Sequence, residues 1–276
     1  MLIVGERLNS TRKAIAEALA AGDEAALLAD AAAQWTAGCD YLDVNTAASF
    51  DDEPRLMAWL VQRIQAAVPG ALIAIDSPNP EAVEAGLRVH QGRALLNSIT
   101  AEHERLDVIL PLVREFNPRV IALAMDDDGL QRDPEQRFAI SARLIETLVE
   151  RGVPPDDIFV DPLIFPVSAE NDAALVALEI MDRLKAAYPR VHVICGVSNV
   201  SHGLPVRRQV NQVYLLMAMA RGLDAVIVDP LDARMMVNIL TARMLLGQDP
   251  GCKAYIAAYR QGRLNAESAP AAARVV

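Results

Sequence analysis

Aromatic residues make up only 4% of this 276-residue chain, although 53% of its residues are hydrophobic. The apolar mass is Ala, Leu, Val and Ile, which suits close-packed helices around a parallel sheet better than a β-sandwich. Cysteine is scarce as well. Cys39, Cys195 and Cys252 are odd in number and far apart, so neither a disulfide framework nor a zinc spacing can be drawn from them. Basic charge is in deficit: 26 Lys and Arg against 36 Asp and Glu leave a net charge of −10. The basic face that nucleic acid requires is missing, so no nucleic-acid partner is expected. A local basic patch can still hold an anionic ligand. No apolar run approaches the roughly 18 residues of a membrane span, so no membrane association is expected. The opening MLIVGERLNS has neither a basic region nor a long apolar core. No signal peptide is therefore expected, and the cytoplasm is the expected compartment.

What is present is a regular alternation. Short β-branched runs recur at Leu2–Gly5, Tyr41–Asn45, Ala71–Asp76, Arg93–Asn97, Arg119–Met125, Ile158–Asp161, Val191–Val197 and Ala225–Asp229. Between them lie stretches with apolar residues at helical spacing, such as Leu56, Leu60, Ile64 and Val68, or Leu144 and Leu148 before Gly152. Strands that each lead into a helix predict a parallel sheet. Runs such as VIALAM are apolar on both faces and need cover on both sides. With no midpoint linker, the repeats predict a single-domain α/β fold, a (β/α)8 TIM barrel. The alternative, a doubly wound open sheet, usually carries a glycine-rich turn after its first strand, and Gly5-Glu6-Arg7-Leu8-Asn9 is no such turn.

In such barrels the chemistry sits where the strands end. Those ends carry Glu6 and Asn9, Asp43 and Asn45, Asp76, Asn97, Asp126, Asp161, Ser198 and Asn199, and Asp229. Polar residues there often do no more than cap the next helix. Here Asn79 before Pro80, Thr100 and Asp232 are better placed as caps. Asp76, Asn97 and Asp229 are thereby released, and a polar ligand pocket is the better account of the set. Two carboxylates and two amides (Asp76, Asn97, Asp161, Asn199), with no His or Cys among them, speak against a transition metal. They fit a flat heterocycle whose adjacent N–H groups a carboxylate can accept. Elsewhere, His90 and His103 read as solvated, His192 as structural and Cys195 as a small core residue. His202 follows strand seven on the pocket side. Asp126-Asp127-Asp128-Gly129 reads as a solvated turn, since it lacks the spacing of a calcium loop.

These stretches resemble the pterin-binding methyltransferases that exchange methyl groups between tetrahydrofolate and corrinoid proteins, relatives of the folate module of cobalamin-dependent methionine synthase. The likeness is carried in order by Gly5-Glu6-Arg7-Leu8-Asn9, Asp43-Val44-Asn45, Ile75-Asp76-Ser77, Leu96-Asn97-Ser98-Ile99, Asp161-Pro162-Leu163, Gly196-Val197-Ser198-Asn199-Val200-Ser201 and Leu216-Met217-Ala218-Met219-Ala220. It covers residues 1–263 as one pterin-binding barrel, and leaves 264–276 as a mobile tail. The segment Thr46–Pro54 departs from the acetogenic enzymes toward the partners of O-demethylase and methylamine-type systems.

The resemblance implies a pterin ring held by Asp76, Asn97 and Asp161, with Asn199 reaching the methyl-bearing N5. Gly196, Ser198 and Arg207 assist, His202 stands where relatives vary, and Glu6, Asn9, Asp43 and Asn45 support. Tetrahydrofolate or its methyl form is then the substrate. The chain lacks both the D-x-H-x-x-G cobalt-ligand motif and the cysteine set of a zinc thiol-methyltransferase. The resemblance thus implies that cobalamin arrives on a separate corrinoid protein, with no metal held by this chain. Two rivals stay open: a dihydropteroate synthase-like enzyme, whose Ser-x-Arg-Pro-Gly loop is missing here, and a non-catalytic folate-binding barrel. A homodimer is an assembly open to such a chain.

Overall fold

The β-branched runs do form a barrel. The computed structural model describes residues 1–48 and 52–264. Its strands are β1 (Leu2–Asn9), β2 (Tyr41–Asn45), β3 (Ile73–Asp76), β4 (Leu95–Ile99), β5 (Arg119–Leu123), β6 (Ile158–Asp161), β7 (His192–Val193) and β8 (Ala225–Val228). They pair in parallel in the order β7-β6-β5-β4-β3-β2-β1-β8. No regular ladder joins β7 to β8. Instead, the Asp224 N–H donates to the Val193 carbonyl (3.2 Å), the Ile227 N–H donates to that of Cys195 (2.9 Å), and Gly196 bridges Ile227. The circuit closes through these looser links because the chain leaves β7 early and enters a 3₁₀ turn at Val197–Ser201. The strand expected to run to Val197 is therefore only two residues long. At the opposite extreme, β1 continues past Gly5 to Asn9, with a register shift against β2 between Gly5 and Leu8.

Side chains alternate across each strand, and both faces are buried. Outward-facing Ile3, Leu42, Val44, Ile73, Ile75, Leu96, Val120, Ile158 and Val160 pack under the surrounding helices in the main core. Inward-facing Val4, Tyr41, Ala74, Leu95, Ile121, Phe159, Ile194 and Ala225 form a separate apolar ring, one residue from each strand position. Filling the barrel this way removes the larger side chains from water at about 1.5–3 kcal/mol each. The ring plugs the barrel and serves as the floor of whatever lies above it.

The helices begin where the sequence supplies caps. Asn79 accepts the Glu81 N–H ahead of Pro80, and Asp232 accepts the Met235 N–H. Thr100 does not cap. The helix His103–Phe116 starts beyond it without a side-chain cap, and the Thr100 hydroxyl donates to the Glu102 carboxylate (2.7 Å). Helix Ala233–Leu245 is followed by a further one, Lys253–Arg260. Gly5 is required by close approach, because a Cβ there would overlap the side-chain oxygen of Gln34, which accepts the Arg7 N–H (3.2 Å). His90 is half-buried rather than solvated, and its Nε2 accepts the Ile73 N–H (3.1 Å) at the start of β3. The tail beyond Leu264 and residues 49–51 of the Thr46–Pro54 segment lie outside the described residues. Among the described residues no helix is long and apolar enough to cross a membrane.

Candidate active site

Two residues further along each strand, the same inward face turns polar. The apolar ring is followed by Glu6, Asp43, Asp76, Asn97, Leu123, Asp161, Gly196 and Ile227. All of these except Leu123 line one cavity of about 570 Å³ at the C-terminal end of the barrel. Its upper wall adds Asn9, Ser198, Asn199 and Arg207, together with Arg12, Arg208 and Asp229. The strand period thus places four carboxyls and one carboxamide around a single space, with an apolar plug beneath them.

The polar layer is internally bonded. Asn97 Nδ2 donates to Asp43 Oδ1 (3.0 Å), so the Asn97 carbonyl is left to face the cavity. Asp43 and Asp76 are neighbours in this layer, and two carboxyls so close are favoured with a proton shared between them. Burial and the neighbouring Asp76 push Asp43 well above the usual carboxylate range, and it holds that proton. Asp76 is pushed up to about 6, chiefly by burial, against the pull of hydrogen bonds from Asn45 and Asp43. Asp161 is also pushed up to about 6 by burial, although its Oδ1 accepts the Leu163 N–H (2.8 Å). Glu6 is raised to about 7 by burial and by Asp229, opposed by the hydroxyl of Ser198, which donates to Oε2 (3.3 Å). These carboxyls carry unfavourable desolvation that donors on a ligand would relieve. Behind them, Arg105 donates to the carbonyls of Ser77 (2.8 Å), Pro78 (2.6 Å) and Ser98 (2.8 Å), tying the ends of β3 and β4 together.

Most residues expected at the site are there. Glu6, Asn9, Asp43, Asp76, Asn97, Asp161, Gly196, Ser198, Asn199 and Arg207 all line the cavity. Asn45 stands behind it, bonded to Asp76. His202 does not line it: its side chain is exposed past the 3₁₀ turn, and its carbonyl accepts the Ser168 hydroxyl (2.6 Å). Asp126 is also elsewhere, paired with Arg143 (2.8 Å) beside a tight turn whose Gly129 has a positive φ of 81°. Asp229 lies on the wall but is paired with Arg7 (3.0 Å). Arg12, Arg208 and Asn211 were not anticipated. The signal for Arg208 and Asn211 is the Arg207-Arg208 doublet shortly after Asn199, with Asn211 one helical turn on, whereas Arg12 carries none. His192 stacks on Phe159 at 4.7 Å and bonds Asp224, as a structural residue would. Cys195 is fully buried. Among the described residues no group of three or more His, Cys, Asp or Glu is arranged to hold a metal ion.

Residues 5–229 match the family model described as pterin binding enzyme. The chain is 32% identical over 266 residues to the methylcorrinoid:tetrahydrofolate methyltransferase of Eubacterium limosum, covering 96% of this chain and 98% of that one. It is 31% identical over 242 residues to the methionine synthase of Mycobacterium tuberculosis, covering 83% of this chain but 20% of that much longer protein. Among solved structures, dihydropteroate synthase of Xanthomonas albilineans with 4-aminobenzoic acid superposes with a TM-score of 0.69 at 19% identity, over 89% of this chain and 93% of that one. Likeness at that identity speaks for the shared barrel. With the barrel, the polar layer and these matches in agreement, the chain belongs to the pterin-binding enzyme family.

Proposed function

We propose that the protein transfers a methyl group between N5 of tetrahydrofolate and the cobalt of a corrinoid carried by a separate protein. The similarity to the methylcorrinoid:tetrahydrofolate methyltransferase over nearly the whole of both chains supports the reaction. The observation that carries it within this molecule is the convergence of Asp76, Asn97, Asp161 and Asn199 on one cavity. Asp76 and Asp161, once ionised, are acceptors for the adjacent N–H groups of an amino-pyrimidinone ring, and the Asn97 carbonyl is a third acceptor. The partner's corrinoid supplies the cobalt between which and N5 the methyl moves.

This chain's own task is to manage charge at N5. A neutral tertiary amine is a poor leaving group, so departure of the methyl needs positive charge or strong hydrogen bonding there. Asn199 meets that need by geometry. Its backbone N–H is tied to the Gly196 carbonyl (3.2 Å), while its carboxamide has no hydrogen-bond partner among the described residues. The amide is free to present either its carbonyl to a protonated N5 or its NH2 to a neutral one. That is stabilisation of developing charge, since an amide is no general acid. For the proton, Asp43 and Asp76 are committed to each other. Glu6 is better placed: with a pKa of about 7 it is part-protonated at neutral pH, and it touches Ser198, next to Asn199. The cytoplasm is the compartment we propose for this reaction, and free Cys39 and Cys195 in the core support that reading.

Calorimetric titration with methyltetrahydrofolate tests the folate half of the reading. One site per chain is expected. A folded protein that binds no folate would overturn it.

A further inference from the structure

Above the acidic layer the cavity wall gains cations, three arginines beside Asp229 and Asp232. Arg12, the residue before helix Lys13–Ala21, and Arg207 and Arg208, which open helix Arg207–Ala220, all stand on its rim. This is unexpected in a chain of net charge −10. Elsewhere the arginines are mostly occupied: Arg7 with Asp30, Arg93 with Asp157, Arg143 with Asp126, Arg183 with Glu135. Arg207 is fixed by the Ser198 carbonyl (2.7 Å) and the Ser201 hydroxyl (3.1 Å). Arg12 and Arg208 are different. Both are exposed, both line the cavity, and among the described residues neither has a carboxylate within ion-pair distance or a side-chain hydrogen bond.

We propose that Arg12 and Arg208 form an anion subsite at the cavity mouth for the γ-linked glutamate tail of folate polyglutamates. The proposal rests on reading the cavity as a folate site. With the pterin ring on the apolar floor between Asp76 and Asp161, the aminobenzoyl-glutamate portion must run outward past this rim. Each added γ-glutamyl residue keeps a free α-carboxylate, so a longer tail brings more negative charge to two cations that lack a partner. A guanidinium is the group suited to such carboxylates, because its paired N–H donors match their two oxygens. Arg12 follows β1 and Arg208 opens the helix after β7, strands with only β8 between them. Both therefore belong to one sector of the rim, and a tail leaving over that sector meets both.

The test is the dissociation constant of methyltetrahydrofolate as monoglutamate and as triglutamate, for wild type and for the Arg12→Gln/Arg208→Gln double variant, at low and high salt. Wild type should bind the triglutamate roughly two- to thirtyfold more tightly at low salt, with the gain shrinking as salt rises. The double variant should lose that gain while still binding the monoglutamate. Equal affinities for the two tail lengths in wild type would overturn the subsite alone. So would a double variant that keeps the tail gain but transfers methyl poorly to its corrinoid protein, which would assign the arginines to partner docking. A monoglutamate that does not bind at all would overturn the folate reading and the subsite with it.

Discussion

Asn45 Nδ2 donates to Asp76 Oδ2 across 3.0 Å, and Asn45 Oδ1 in turn accepts the Ser10 hydroxyl at 2.7 Å. The buried amide thus has a fixed orientation, with its donor end aimed at the carboxyl that faces the cavity. It does two things to Asp76: it sets the rotamer, and it favours the ionised form that a ligand N–H requires.

Asn45→Ala should therefore weaken folate binding without touching the ligand. The bond is already made in the empty cavity, so its loss of about 1.5–3 kcal/mol falls on stability. Binding weakens because Asp76 is less readily ionised and less firmly held. The substitution should also raise the pKa of Asp76 further, so the pH at which affinity fails should move up. Titrating affinity against pH in both proteins checks this. A weaker variant with an unmoved midpoint would mean that Asn45 acts on shape alone.

The pH dependence of the wild type follows from Asp76 and Asp161, each with a pKa of about 6 in the empty cavity. Both must be ionised to accept ring N–H groups. Affinity should fall as pH drops below about 6, by up to about tenfold per pH unit for each carboxyl. Binding there should release protons. Calorimetry in two buffers of different ionisation enthalpy measures that release directly, and proton uptake would contradict the assignment.

Asp161 should oppose stability where it serves binding. Its pKa is about 6 when folded, above the 3.8 expected of an unconstrained Asp. The neutral form is favoured in the fold, so its contribution is fully present below about pH 4 and is lost as pH rises through about 6. Above that the buried charge costs roughly 3 kcal/mol. Asp161→Asn keeps the acceptor for the Leu163 N–H, so it should raise Tm by several degrees at pH 8 and change it little at pH 4. It should also bind folate poorly. A lower Tm at both pH values would show that the fold needs the carboxylate itself.

Much of this was legible in the sequence, for physical reasons that also mark its limits. Strands buried on both faces are dense in Val, Ile and Leu, so β2 and β6 were expected with the bounds they have. The polar residue that ends each run was visible because it interrupts an apolar pattern. The inward ring beneath it was not, because Ala74 or Ile121 looks the same whichever face it occupies. Position after strand seven fixed the end of the barrel on which His202 lies, but its direction depends on a 3₁₀ turn that carries no periodic signal. The Arg12–Arg208 rim joins segments distant in sequence, each unremarkable alone.

Asn199→Ala separates binding from chemistry. The pterin would still be held by Asp76, Asn97 and Asp161, so affinity should change modestly. Loss of a preorganised group at N5 should lower the single-turnover rate by about a hundred- to a thousandfold. Equal losses in affinity and rate would make Asn199 a uniform binding residue.

The central claim is methyl transfer itself, and one spectrum decides it. The protein is mixed with methyltetrahydrofolate and free Co(I) cobalamin under reducing, anaerobic conditions, and the conversion to methylcobalamin is followed by absorbance. Methylcobalamin should appear at a rate proportional to protein concentration, with the rate sharply reduced in Asn199→Ala. A protein that binds methyltetrahydrofolate in the calorimeter yet leaves the Co(I) spectrum at the uncatalysed rate would contradict the account.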